Sequence, residues 1–544
     1  MNSNAPLSAE RIQEIVEAVD LHGTKKAAAE ALGISRDAVI RACRKAEESA
    51  TGRAKAPARV DFGLPAKGKI ARYIFTCAQS NTKVHDWTWR NLVSLAEHYG
   101  ARIHVSRFTY KKEAYGKKAV KPGQGATAAD KAELWFDKRI EPFISDEGAN
   151  VAPGLVWCGE MNILPTAVRP LSGLESYTGR KSGIFPHAKI AMESIASHKS
   201  EPTKFNYTTG AVTLRNYIAK KAGLKAEFHH GYGGLLVEVD SEGSWWCRQL
   251  NADSEGTIYD LDVRAKAGKV TRGHRVEALN WGDIHVSGEE TPSLAACFGK
   301  DGILDTLRPR FQFHHDVFDF RFSNHHDRKN PHKRFELHLS GKDSGVDELR
   351  NVARFVMNDS WRPYCKTVVV DSNHDNAMTR WLREADYRED PKNALLFLAA
   401  QYEVYQAIAA GDKKFHLVSW AVKRMAETRD EFARAREVKF LQQDESFIIC
   451  PDANGGIECG MHGHQGPNGA KGSAAAFSRM GRKSNIGHSH SACIHDGTYV
   501  AGVTGALDQG YNAGPSSWSH SHVVTYANGK RAIISVWCGK WRAG

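Results

Sequence analysis

Apolar residues recur at helical spacing over the first fifty positions and at strand spacing beyond position 70, with neither period in between. Ile12, Ile15, Val16 and Val19 lie three or four apart, so 8–19 is expected to be an amphipathic helix with Ser8 as its N-cap. Thr24 is placed to cap a second helix, in which Ala27, Ala28, Ala31 and Leu32 form a compact apolar face. Gly33-Ile34-Ser35 reads as a tight turn, and 36–44 as a third helix with Val39 and Ile40 inward. Positions 47–69, rich in Ala, Gly, Pro and Lys, read as a flexible linker. Beyond it, 71–78 has the pattern of a strand, 87–99 that of a helix stopped by Gly100, and 101–108 that of a second strand. Together they predict a β-α-β unit. The lysine- and glycine-rich stretch 110–129 reads as an exposed loop. Strand and turn patterns fill 154–273 without a catalytic constellation; His229 and His230 are read as structural and Trp245 and Trp246 as core. Leu279-Asn280-Trp281 and Thr367-Val368-Val369-Val370 are short strand-like runs. Helices are expected over 379–383 and 394–437, the latter broken near Gly411-Asp412 and covering one face of a sheet.

A chain of 544 residues is long enough for two or three domains with substantial cores. It carries no apolar run of bilayer-spanning length, and Met1-Asn2-Ser3-Asn4-Ala5-Pro6 lacks the pattern of a secretory signal. Its ten cysteines stand singly, with no Cys-x-x-Cys, which argues against a disulfide framework and a zinc ribbon. Cytoplasmic location with no membrane partner is the expectation. A net charge of +12 favours a polyanionic partner.

Five short pieces in the C-terminal half bear on chemistry: Gly282-Asp283-Ile284-His285, Asp316, Ser372-Asn373-His374-Asp375, Met461-His462-Gly463-His464 and Gly487-His488-Ser489-His490. Carboxylate, amide and imidazole donors in this mixture suit divalent cations such as Mn²⁺, Fe²⁺ or Zn²⁺. Two such ions roughly 3.5–4 Å apart make the clamp used for in-line displacement at phosphorus. In Asp-x-His after a strand, residues i and i+2 point to the same side. Chance accounts for isolated His-x-His pairs in a chain with 25 histidines, but not for five pieces in this order.

That order, Asp-x-His, Asp, Asn-His-Asp, His-Gly, Gly-His-x-His, resembles the calcineurin-like metallophosphoesterase family over about the last half of the chain. The resemblance implies an α/β fold, a two-layered β-sandwich flanked by helices, over 274–544, and the β-α-β pattern makes 70–273 an N-terminal α/β region. It implies that Asp283, His285 and His490 hold one metal ion, that Asn373, His462 and His488 hold a second, and that Asp316 bridges them. His374 becomes the leaving-group acid and Asp375 its orienting partner. Mn²⁺ is the favoured ion, with Mg²⁺, Fe²⁺ and Zn²⁺ as alternatives. His315 stands where the family has Gly before the bridging Asp, Ser372 replaces the Gly of Gly-Asn-His-Asp, and His464 is an alternative to His462. The basic stretch after Asp316 (Arg321, His325, His326, Arg328, Lys329, His332, Lys333 and Arg334) is a candidate contact for flanking phosphates. His325, His326 and Arg328 are its central members, and Arg479, Arg482 and Lys483 form a second such cluster.

Ala28-Ala29-Glu30-Ala31-Leu32-Gly33-Ile34-Ser35-Arg36 resembles a bacterial or phage helix-turn-helix, which makes 1–46 a candidate DNA-binding module. Ser35, Arg36, Asp37, Arg41 and Arg44 then lie near the groove or backbone. The alternative is a small helical docking module. With the β-α-β segment, Thr208-Thr209-Gly210-Ala211-Val212-Thr213 and His462-Gly463-His464-Gln465-Gly466-Pro467-Asn468-Gly469, the chain is also similar to phage-encoded metallophosphoesterases, including early-expressed DNases of siphophages. This implies DNA hydrolysis in the host cytoplasm and a homo-oligomer. Two other classes share the residues: a phosphomonoesterase acting on nucleotides or phosphoproteins, and a DNA-binding regulator whose metals stabilise structure.

Overall fold

In the computed structural model of the chain, which describes residues 8–50, 59–110, 134–324, 330–452 and 455–543, Ser8 and Thr24 cap the first two helices. Their hydroxyls accept the amides of Arg11 and Ala27 at 3.2 and 3.1 Å, which satisfies donors that a helix start leaves open. The helices run Ala9–His22, Lys25–Ala31 and Arg36–Ala50, and Ile15, Ala29, Val39, Ala42 and Cys43 close a small core between them. Ile40, expected inward, is 40% exposed. Val39, Ala42 and Cys43 are three and four apart and share one face, and one further residue turns Ile40 about 100° away from it. Of the linker expected over 47–69, 47–50 continue the third helix, 60–61 form a strand, and 51–58 lie outside the described residues.

The chain divides into two compact units, Met1–Val60 and Asp61–Gly544. The larger is mixed α/β. Its six-stranded sheet has the spatial order Lys439–Phe440, Lys366–Val369, Phe311–His314, Ala278–Asn280, Ser521–Thr525, Arg531–Ser535. The first four strands are parallel, Ser521–Thr525 runs antiparallel to them, and Arg531–Ser535, antiparallel to Ser521–Thr525, runs in their direction again. Strand pleating sends alternate residues to opposite faces. Ala278, Phe313 and Val368 pack against Ile449, Ile457 and Cys459 of a second sheet. Leu279 and Val369 pack on the other face among Phe298, Val356, Met378 and Trp381 of the helices. One sheet face is thus covered by strands and the other by helices. The 394–437 region forms the helices Ala394–Ala409, Leu417–Arg424 and Arg429–Glu437, with Gly411 in left-handed backbone at the first break.

The second sheet has eleven strands among the described residues, drawn from Val60–Asp61 through Thr498–Val500. It contains both Lys204–Thr208 and Lys483–Ile486, so it crosses the domain boundary expected at 273. A four-stranded sheet holds the β-α-β unit, with Ala71–Gln79 parallel to Arg102–Phe108 and the helix Asp86–Tyr99 between them in sequence. His230 is buried and bonded to Tyr217 Oη and the Thr213 carbonyl, as a structural histidine. Most of 110–129 lies outside the described residues. No described helix is long and apolar enough to cross a membrane.

A buried ion network fixes the four-stranded sheet. Arg248 donates to Asp260 Oδ1 (2.7 Å) and Glu238 Oε2 (2.8 Å), and Arg72 to Glu238 Oε1 (2.8 Å). Removing the guanidinium leaves two buried carboxylates without their main partner, so Arg248→Met is expected to cost about 3–5 kcal/mol in urea unfolding. Burial raises the Glu238 carboxyl, but the Arg248 charge and the hydrogen bonds from both arginines outweigh it and hold it at about 2. A depressed folded-state pKa contributes stability above the unfolded value, lost as pH falls from about 4.5 toward 2.

Candidate metal centre

Adjacent parallel strands end at the same edge, and three of them deliver the first pieces there. Asp283 follows Ala278–Asn280, Asp316 follows Phe311–His314, and Asn373-His374 follow Lys366–Val369. Such edges are where sites gather in α/β sheets. His462 follows Ile457–Glu458, and His488 and His490 follow its parallel neighbour Lys483–Ile486 in the large sheet. Backbone hydrogen bonds tie the two groups together: Asp283 N to Gly502 O (3.1 Å), Thr504 N to Asp283 O (2.8 Å) and Gly487 N to His462 O (2.8 Å). Gly282 is required by this contact, because a Cβ there would overlap the backbone of Gly502 and Val503. Four of the proposed ligands, His285, Asp316, His488 and His490, have φ between 46° and 71°. Left-handed backbone is costly for residues with a Cβ and clusters at functional sites.

Asp283, His285, Asp316 and His490 are all buried, and their donor atoms lie within 4.8 Å of one another. His285 Nε2 and His490 Nε2 are 3.1 Å apart, and His490 Nε2 is 2.9 Å from Asp283 Oδ2. In a second group, His462 Nε2 stands 3.1 Å from Asn373 Oδ1 and 3.2 Å from Asp316 Oδ2. Ligands 2.0–2.2 Å from one ion stand about 3 Å from each other, so both donor sets fit a divalent cation. Asp316 Oδ2 is also 3.9 Å from His285 Nε2, so the carboxylate touches both groups. The rings of His462, His464 and His488 neighbour one another, with centroids 5.2 to 6.1 Å apart. His488 further donates its backbone N–H to both Asp283 oxygens (3.1 and 2.9 Å). His315, where a glycine was expected, is buried with Nδ1 3.4 Å from His462 Nδ1. Its bulk fits because Gly487 lies against it; a Cβ at Gly487 would crowd both the His315 ring and the Asp283 carboxylate.

Asp375 does not orient His374. Its Oδ1 accepts the Phe318 N–H at 3.0 Å, which ties the loop after one strand to the loop after the next. The carboxylate that meets His374 is Asp319, with Oδ1 3.0 Å from His374 Nδ1 and 3.3 Å from His285 Nδ1. Asp319 is also paired with Arg321. A carboxylate behind a ligand histidine fixes its tautomer and leaves the other nitrogen for a metal. A sequence signal existed: Asp319 interrupts the apolar run Val317-Phe318-Asp319-Phe320, and a buried carboxylate needs partners.

Burial favours the neutral form of these groups and prevails at His488, His490 and Asp375, but at Asp283, Asp316, Asp319, His374 and His462 opposite charges outweigh it. His462 and its neighbours hold Asp316 well below the usual carboxylate range. Asp316 and Asp319 raise His374 to about 10.

Of the expected phosphate contacts, His325, His326, Arg328 and Lys329 lie outside the described residues. Arg321 is committed to Asp319, while Arg334, Arg479 and Arg482 are exposed. In the first unit Arg36 and Arg41 are exposed, Ser35 accepts the Ala38 amide at 3.2 Å, and the Arg44 side chain is outside the description.

No family model matches the chain, and no solved structure does. Protein A1 of Escherichia phage T5 is 38% identical over 484 residues, which cover 87% of this chain and 83% of that protein.

Proposed function

The chain belongs to the family of Protein A1 of Escherichia phage T5, and we propose that it is a metal-dependent phosphodiesterase of the calcineurin-like type that hydrolyses DNA. The observation that carries this reading is Asp316 Oδ2, 3.2 Å from His462 Nε2 in one donor group and 3.9 Å from His285 Nε2 in the other. On this reading Asp283, His285 and His490 would hold one ion and Asn373, His462 and His488 the other, with Asp316 shared between the two donor groups. Mn²⁺ is favoured, and Mg²⁺, Fe²⁺ and Zn²⁺ also suit the donors. Two such ions supply a water activated near neutral pH and neutralise charge on the phosphoryl oxygens. His374 is the acid: with Nδ1 paired with the Asp319 carboxylate, its Nε2 gives a proton to the departing oxygen. The net charge of +12 and the capped three-helix N-terminal unit support a polyanionic, nucleic-acid substrate, and the phage relative supports the host cytoplasm as the place of action.

Asp319 acts through His374 and His285. Asp319→Asn is expected to lower kcat about 10–100-fold with KM for DNA unchanged, read by steady-state kinetics, with partial recovery in Asp319→Glu. The proposed activity itself is tested with linear and closed circular duplex DNA and single-stranded DNA, with Mn²⁺, with Mg²⁺ and with chelator. Cleavage that needs the metal supports the reading, and attack on closed circles makes the enzyme an endonuclease. Intact DNA beside turnover of small phosphate monoesters replaces it with a phosphomonoesterase.

A further inference from the structure

A cleft of about 490 Å³ opens beside the metal centre, with His488 in its wall. Gly463, Gly487 and Ser489, from the two loops that carry the metal-ligand histidines, form the side nearest the centre. Ile195, Ile486, Val500 and Cys493 give it an apolar lining, and Glu175 and Glu193 stand on its wall. Among the described residues, no lysine or arginine lines it. The Glu193 side chain is half-buried and its carboxylate makes no hydrogen bond or ion pair among the described residues. Burial and the neighbouring Glu175 charge raise its carboxyl and outweigh the opposing charge of Arg169, which lies outside the cleft's lining.

These properties select a ligand class. The volume lies in the range of small-molecule pockets, roughly 300–1,000 Å³. Two carboxylates repel a phosphate, so the cleft does not extend the phosphate track. An apolar lining accepts the flat face of a base, and carboxylates accept hydrogen bonds from exocyclic amino groups, as Glu and Asp do from cytosine. We propose that this cleft holds the nucleobase on one side of the scissile phosphate and selects bases that carry an amino group over thymine. The inference rests on the phosphodiesterase reading above and names the part of the substrate that reading leaves open.

The test maps cut positions on single-stranded oligonucleotides of mixed sequence, with Mn²⁺, for the wild type, Glu193→Gln and Glu175→Gln. Rates are normalised to hydrolysis of bis(p-nitrophenyl) phosphate by the same preparation, since that ester has no base to place in the cleft. The wild type is expected to disfavour thymine at one position flanking the cut by about tenfold, the lower part of the range for a discriminating base contact. Glu193→Gln, whose amide both donates and accepts, is expected to cut that preference to about twofold or less. Equal preference in wild type and both variants, with DNA still cleaved, overturns the subsite. Failure of the wild type to hydrolyse even bis(p-nitrophenyl) phosphate overturns the metal reading and the subsite with it, so the two failures are distinct.

Discussion

His374→Ala loses about 10²–10⁴-fold in kcat while keeping its full complement of metal, which is the range a positioned general acid contributes. His374 meets the Asp319 carboxylate through Nδ1 at 3.0 Å and is not assigned to either donor group. Removing it leaves Asp283, His285, His490, His462 and Asn373 in place. It also leaves Asp319 paired with Arg321, so no buried carboxylate is stranded. Metal content by mass spectrometry, set beside turnover on DNA, checks both halves. A variant that sheds metal in proportion to its lost activity would make His374 a ligand rather than the acid.

Asp316→Asn is expected to lose both. Its carboxylate stands between two imidazoles from different donor groups, so a neutral amide there weakens the hold on both ions at once. The loss of affinity should exceed the 10–100-fold typical of an outer partner. Asparagine tolerates the left-handed backbone found at this position, φ 46°, so the loop is expected to keep its shape. Circular dichroism therefore stays close to wild type, while the unfolding midpoint falls by the stabilisation that bound metal supplies. Full occupancy in this variant contradicts the bridging role.

The sequence is most informative where structure is local. Ser8 and Thr24 cap helices as their positions suggest, and the runs ending at Trp281 and Val370 are strands leading into donor residues. Three features escaped it for physical reasons. The large sheet is built from strands as short as Ile457–Glu458, too short for a period, and it pairs segments hundreds of residues apart. Asp375 follows His374 directly, yet its carboxylate is taken by the Phe318 amide, a contact only tertiary structure brings about. Asp319, the residue that does meet His374, was hidden in an apolar run whose polar member could be read as a partnered buried charge but not assigned a partner.

The most direct test of the two-ion account is anomalous X-ray diffraction from crystals of the full chain grown with Mn²⁺. The account predicts two peaks roughly 3.5–4 Å apart. One should touch Asp283, His285 and His490, the other Asn373, His462 and His488, with Asp316 in contact with both. A single peak, or a second one that misses Asp316, contradicts it.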